Sequence, residues 1–291
     1  MSFWDFQEPS GDFVAKQGAG RYALTAQRFD PLTQNYSAGV VERVYDTPPG
    51  APFGPLAAAV DEDHLLVVPD TATLAPLLDI HGDNATLSMV AWMKADPRLR
   101  NAKGPSMSYG HLCGIWSEPM SARRYVIFAR SPRGQPCRGC TAMDVEVSRT
   151  GCSEPPCEWS ISYALGSANI EYAVWQMVAL TFDGHAIRSF VNGTLDYRAP
   201  HRVNPPSVPC NDTWQNPAPV TTWSNRSAWG PGGAPTYPLN RTDFAVGGQK
   251  AAGGLTLGHP WNGLIAGLAV YARALTAAEL KALAAATNMA I

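Results

Sequence analysis

The chain has 291 residues, of which 16% are charged, with 22 Lys+Arg against 24 Asp+Glu. With no long run of either sign, it lacks the electrostatic footprint of a protein that binds nucleic acid or an anionic membrane. Nine Trp, ten Tyr and nine Phe beside 26 Gly and 25 Pro describe many short strands joined by turns rather than long helices. No apolar run approaches the roughly 20 residues that a membrane span needs. The opening MSFWDFQEPSGD shows no basic stretch followed by an apolar one, so no secretion signal is visible. The length suits one large all-β domain or two smaller ones. Abundant Ala, with Arg far above Lys, points to a bacterial source.

In chain order, strands are predicted at HLLVV (64–68), ATLSMVAWMK (85–94), RYVIFAR (124–130) and AMDVEVS (142–148). WQMVALTFDGHAIRSFVNG, Trp175 to Gly193, reads as a hairpin, with Asp183-Gly184 as a two-residue turn and Asn192-Gly193 closing the second strand. That turn pairs Phe182 with His185, Leu180 with Ile187, Val178 with Ser189 and Met177 with Phe190. One face then carries Val178, Leu180, Phe182, Ile187 and Val191, a core set. The other carries Trp175, Met177, Ala179, Thr181, Arg188 and Phe190, as expected of a central strand whose outer face is covered or curved into a groove. Arg188 there needs an acidic or ligand partner, for which Asp144 and Glu146 are candidates. From Arg198 to Asp243 the sequence is dense in Pro, Asn, Ser and Trp with no periodicity, and a loop of such length is functional or disordered. GLIAGLAVYA (263–272) reads as a last strand. LTAAELKALAAAT (275–287) reads as a helix, with Thr276 and Glu279 as a capping box and Leu275 stapled onto Leu280.

Six cysteines are present, Cys113, Cys137, Cys140, Cys152, Cys157 and Cys210, four of them spaced C-x2-C-x11-C-x4-C. Disulfides in an oxidising compartment, four thiolates on zinc, and free thiols are all open readings. Disulfides are favoured over zinc because the x4 spacing is looser than most zinc knuckles and no charged helix follows.

Four stretches in order resemble the LamG-like jellyroll domains of the concanavalin A-like lectin/glucanase superfamily. They are FWDFQEPSGD, VDEDHLLVVPDTATLAPLLDIHGDNATLSMVAWMKAD, WQMVALTFDGHAIRSFVNGTL and HPWNGLIAGLAVYARALTAAELKALAAAT. The resemblance runs nearly end to end. It implies an all-β, two-sheet antiparallel jellyroll sandwich with one short C-terminal helix, a single domain over 1–291. A Cys-rich insertion is expected at about 131–159 and a Trp/Pro-rich loop at about 199–242. It also implies a concave sheet that serves many relatives as a sugar-binding surface, and an extracellular, cell-surface or periplasmic location. Many relatives bind calcium through an acidic pair in the closing strand, where this chain has Ala266-Gly267. Calcium at the usual place is therefore not expected, and Asp5, Asp12 or Asp30 would have to serve a different site. No cofactor is otherwise indicated.

Fold leaves function open, so it is read from sites. Trp214, Trp223, Trp229 and Tyr237 offer flat faces for sugar rings, and Arg226 and Arg188 offer guanidinium groups for hydroxyls. The alternative for the aromatics is a satellite core that pins the long loop. Asp144 and Glu146 would lie on one strand face about 6 to 7 Å apart, a spacing that glycosidases use. The laminarinase-type glucanases of the superfamily carry an acidic triple at alternate positions, and AMDVEVS lacks one acid of it. Arg124, Tyr125, Arg130 and His111 supply the residue types of the lyase members without the spacing of their motifs. The leading expectation is a non-catalytic carbohydrate-recognition or adhesion module whose partner is a glycan or polysaccharide. A polysaccharide-degrading enzyme and a structural protein-interaction domain are the alternatives.

Overall fold

The computed structural model describes residues 1–18, 22–30, 32–33, 35–50, 53–69, 71, 75–80, 85–97, 109–117, 122–130, 141–148, 162–202, 213–220, 242–250 and 257–289. The N-terminal part supplies β1 (Ser2–Trp4), β2 (Phe13–Val14), β3 (Ala23–Asp30), β4 (Asn35–Ala38), β5 (Glu42–Val44), β6 (Ala57–Val60), β7 (His64–Val68) and β8 (Leu87–Ala95). The middle supplies β9 (Tyr109–Ser117), β10 (Ala122–Arg130), β11 (Ala142–Val147), β12 (Ser162–Leu165), β13 (Trp175–Phe182), β14 (Ala186–Val191) and β15 (Thr194–Leu195). The C-terminal part supplies β16 (Arg198–Arg202), β17 (Thr213–Asn216), β18 (Ala218–Pro219), β19 (Phe244–Val246), β20 (Gln249–Lys250), β21 (Leu257–Gly258), β22 (Gly263–Tyr271) and the helix α1 (Ala277–Ala286). Two large antiparallel sheets result. The first runs β15-β14-β13-β8-β22-β6-β5, with β1 on β22 and β18 on β14. The second runs β12-β11-β10-β9-β19-β7-β3-β2, with β4 on β3.

The sandwich follows from residues that alternate along each strand. Leu87, Met89, Ala91 and Met93 of β8 face the inter-sheet core, where they join Val178, Leu180 and Phe182 of β13, Leu268 and Val270 of β22, and Tyr125, Ile127, Met143 and Val145 of the second sheet. Val90 and Trp92 face outward, as do Trp175, Met177, Ala179 and Phe190, and Leu275, Leu280 and Ala284 pack onto them. The central strands of the first sheet are thus apolar on both sides because α1 forms a third layer. The helix begins as its sequence predicts: Thr276 Oγ1 accepts from the Glu279 amide at 3.2 Å, and Glu279 Oε2 accepts from the Thr276 amide at 2.8 Å.

The hairpin keeps its predicted faces and changes its register. Phe182 lies opposite Ile187, Leu180 opposite Ser189 and Val178 opposite Val191, two residues out from a two-residue turn. The Asp183 carboxylate accepts from the His185 amide at 2.9 Å and the Ala186 amide at 2.8 Å, so the loop spans 183–186. A shift of two preserves which side each residue faces. On the far edge of β14, β15 and β18 leave Ser189 without a strand neighbour. Asn216 fills that gap: its Oδ1 accepts from the Ser189 amide at 3.1 Å and its Nδ2 donates to the Ser189 carbonyl at 2.9 Å.

Within the span 131–159, β11 pairs with β10 and β12, as the strand predicted at 142–148. Within the span 198–243, β16 and β17 form a ribbon and β18 joins the first sheet. Cys113, one of the six cysteines grouped for disulfides or zinc, is a free thiol buried in the inter-sheet core. It lies on β9, where alternation turns it inward, and burial pushes its ionisation far above the usual thiol range. Cys137, Cys140, Cys152, Cys157 and Cys210 lie outside the described residues.

Candidate functional site

The outer face of the first sheet is only partly covered by α1. Beyond the helix, Trp175, Lys94, Leu264, Ala59 and Glu42 stand opposite one another across β13, β8, β22, β6 and β5. At strand spacing this row is about 19 Å long. Asp46 locks one end of it: Oδ1 accepts from Trp175 Nε1 at 2.9 Å and Oδ2 from Lys94 Nζ at 2.7 Å. Burial pushes the Asp46 carboxyl upward, but these two bonds outweigh it and hold the group below its ordinary value. The neighbouring Tyr45 is 85% exposed.

A cleft of about 540 Å³ opens along this row, lined by Glu42, Ala59, Asp61, His64, Lys94, Asp96, Gly263 and Leu264 among others. Its floor is aliphatic, from Ala59, Leu264 and the stem of Lys94. One wall is the turn between β6 and β7, where Asp61 Oδ1 accepts from the His64 amide at 3.1 Å and lies 2.7 Å from His64 Nδ1. Burial raises the Asp61 carboxyl, and its bonds to His64 and the Asp63 amide more than reverse that. The opposite wall carries Asp96, whose amide donates to the Asn262 carbonyl at 3.0 Å. Gly263 is required between them: its φ is +152°, and a Cβ there would collide with the Lys94 carbonyl. The lining therefore alternates carboxylate acceptors with Lys94 and His64, over an apolar base.

The outer face of the second sheet carries the predicted acids. Asp144 and Glu146 do share one side of β11, and both are buried, Asp144 at 0% exposure. Arg130 Nη1 donates to Asp144 Oδ2 at 2.9 Å. Asp144, one of the two partners proposed for Arg188, is thus engaged with Arg130, and Arg188 Nη1 bonds Asp183 Oδ2 at 2.6 Å. The lyase-type residues do not converge. Tyr125 points into the core and donates to the Leu78 carbonyl at 2.5 Å, Arg124 Nε bonds Asp79 at 3.2 Å, and His111 Nε2 lies 3.3 Å from the Ala245 carbonyl.

Of the predicted sugar-binding residues, Trp214 is 5% exposed and packs with Ala142 and Leu165. Arg188 borders a smaller pocket of about 340 Å³ between the hairpin and the start of α1, lined also by Thr181, Phe190 and Leu275. Trp223, Trp229, Tyr237 and Arg226 lie outside the described residues. Ala266 and Gly267 sit at a bulge of β22, and a Cβ on Gly267 would come within 2.9 Å of the Phe53 ring and 3.0 Å of Trp92. Rings occupy that position. Among the described residues no group of three or more His, Cys, Asp or Glu is placed to hold a metal ion, and no helix is long and apolar enough to cross a membrane. Glu42, Asp46, Asp61, Lys94 and Asp96 were not singled out by sequence reasoning. They sit at the ends of three strands, β5, β6 and β8, and only VDEDH, a carboxylate three residues before a His at a turn, offered a local hint.

No family model matches the chain, and no curated protein matches it. Among solved structures, it is similar to the binding domain of botulinum neurotoxin DC in complex with rat synaptotagmin II, at 9% identity and TM-score 0.50, over 99% of this chain and 51% of that one. The binding domain of Paraclostridial mosquitocidal protein 1 is similar at 9% identity and TM-score 0.50, over 97% and 51%. Domain 4 of AbnA, an extracellular GH43 arabinanase of Geobacillus stearothermophilus solved with arabinotriose, is similar at 15% identity and TM-score 0.49, over 97% of both chains. The chain spans about half the length of the two toxin domains. The two likenesses at TM-score 0.50 agree with the two-sheet antiparallel sandwich seen here, a jellyroll sandwich.

Proposed function

We propose that this chain is a LamG-like carbohydrate-recognition or adhesion module that holds a glycan in the first-sheet cleft without turning it over. The observation that carries this reading is the cleft itself. Its volume of about 540 Å³ falls within the range of small-ligand sites, and its lining is more polar than apolar, which suits a ligand rich in hydroxyls. Sugar hydroxyls both donate and accept, so they suit Glu42, Asp61 and Asp96 as acceptors and Lys94 as donor. Tyr45, exposed and next in the chain to Asp46, supplies a ring face for stacking. A glycan ligand fits an extracellular or cell-surface setting. The enzyme alternative is less well supported, because Asp144 is sealed from solvent and committed to Arg130.

The full chain should be retained by at least one polysaccharide in a panel, with no release of reducing ends or unsaturated product. Glu42→Gln, Asp61→Asn and Tyr45→Ala should each weaken that retention about tenfold or more, the loss expected when a buried hydrogen bond or stacking face is removed. Retention that survives all three substitutions would remove the cleft from the reading. New reducing ends that vanish in Glu146→Gln would replace the module with a hydrolase.

A further inference from the structure

The charges around the first-sheet cleft are uneven. Glu42 on the edge strand β5, Asp61 in the turn after β6 and Asp96 after β8 line it, against Lys94 and His64. Asp46 adds a fourth carboxylate beside Lys94. Both basic groups are already engaged: Lys94 Nζ lies 2.7 Å from Asp46 Oδ2, and His64 Nδ1 lies 2.7 Å from Asp61 Oδ1. Glu42, by contrast, is exposed and makes no hydrogen bond or ion pair among the described residues. Even with His64 protonated, four carboxylates face two cations.

What makes the site is a volume of about 540 Å³ over an aliphatic floor of Ala59, Leu264 and the Lys94 stem. The charges select what enters it. Low-dielectric walls concentrate a field of one sign on the space between them, and here that sign is negative. A carboxylate or sulfate on a sugar is repelled by this field, and a neutral hydroxyl gains little from it. An ammonium carries three donors and no acceptor, so it suits a lining in which carboxylate oxygens outnumber free donors. Resting on the reading of the cleft as a sugar site, we infer that its ligand is an amino sugar with a free, positively charged amine. Acetylation of that amine removes both the charge and two of the donors, so the cleft discriminates the bare amino sugar from its N-acetyl form. Glu42, at the open edge of the sheet, is the residue that receives the ammonium.

The probes are β-1,4-linked tetramers of glucosamine, N-acetylglucosamine and glucose, with tetralysine as a non-saccharide amine. They are titrated calorimetrically into the full chain at about pH 5.5, where amines are charged and ordinary carboxylates ionised. The glucosamine tetramer should bind about tenfold or more tighter than either of the other two sugars. That ratio should shrink as sodium chloride rises from about 50 to about 500 mM. In Glu42→Gln it should fall towards one, whereas Asp12→Asn, an exposed acid outside the cleft lining, should leave it unchanged. Equal affinity for all three sugars, or tighter binding of the N-acetyl or glucose tetramer, overturns the amino-sugar assignment and leaves the cleft a sugar site. A ratio that survives in Glu42→Gln, or falls equally in Asp12→Asn, overturns it as well, since the amine is then held elsewhere or by charge at large. Tetralysine binding as tightly as the glucosamine tetramer replaces the saccharide with a basic peptide. Binding of none of the four removes the sugar reading of the cleft together with this inference.

Discussion

Asp46 shows how one side chain aligns elements that nothing covalent holds together. Its two oxygens grip Trp175 of β13 and Lys94 of β8, so it fixes the row on which the cleft is built. Asp46→Asn keeps the shape but loses the charge, and should cost about 1 kcal/mol, since the pair is partly exposed and screened. The dependence on pH follows from the lowered carboxyl. A group whose folded value is depressed contributes stability above its unfolded value, about 3.9, and loses it as pH falls through the folded one. The stability gap between wild type and Asp46→Asn in urea titrations should therefore be constant from pH 7 to about 5 and close below about 4. Gly114 makes a different point. Its φ is +148° where it pairs with Val126, between two register shifts of β9 and β10, and a Cβ would press on the Tyr125 carbonyl and come within 2.7 Å of Val126 Cα. Backbone cannot step aside as a side-chain tip does, so Gly114→Ala should lose about 3 kcal/mol, read from the denaturation midpoint.

At the scale of elements, the helix and the hairpin were legible in sequence because their signals are local. Thr276 and Glu279 lie three residues apart, and the faces of β13 and β14 follow from period-two alternation. The register was not legible, because the Asp183 carboxylate widened the turn by binding amides that a dipeptide rule does not count. Glu279 carries a measurable consequence. Bonds from Arg273 and then the Thr276 amide and hydroxyl hold its carboxyl at about 2, below an ordinary 4.5. The start of α1 should thus be fully capped above about pH 4.5 and open as pH falls towards 2. A 13C titration of the Glu279 carboxyl with a midpoint near 4.5 would show the cap to be absent in solution. Leu280 is fully buried against the outer face of the first sheet. Leu280→Ala should cost about 2 to 5 kcal/mol, seen as a lowered thermal midpoint, with the cleft's ligand affinity unchanged.

For the molecule as a whole, β7, β8, β10, β11, β13, β14 and β22 could be read from sequence, β3 and β9 were missed, and strand order could not be read at all, since the pairings that make the first sheet join residues far apart in the chain. β22 lies between β8 and β6, and it also carries β1. The cleft is hidden from local reading for the same reason: Glu42, Asp61, Lys94 and Leu264 come from four segments and meet only through register. Aromatic density drew attention to the 199–242 span instead, yet Trp214 is buried under arginines, because an indole beside a sheet edge lowers its free energy by packing before any ligand arrives. This topology makes a test of the architecture. A chain ending at 262 lacks β22 and α1, which splits the first sheet into β15-β14-β13-β8 and β6-β5 and leaves β1 without its partner. A chain ending at 272 keeps β22 and loses only the helical layer. The first should show no cooperative urea transition and weak near-ultraviolet dichroism, because non-local pairing must be complete before burial repays its entropy. The second should still unfold cooperatively, at lower urea, while binding a hydrophobic dye through the uncovered Met177, Phe190 and Trp92. A cooperative transition in the chain ending at 262 would mean that the second sheet folds without the first, and that the sandwich is two units rather than one.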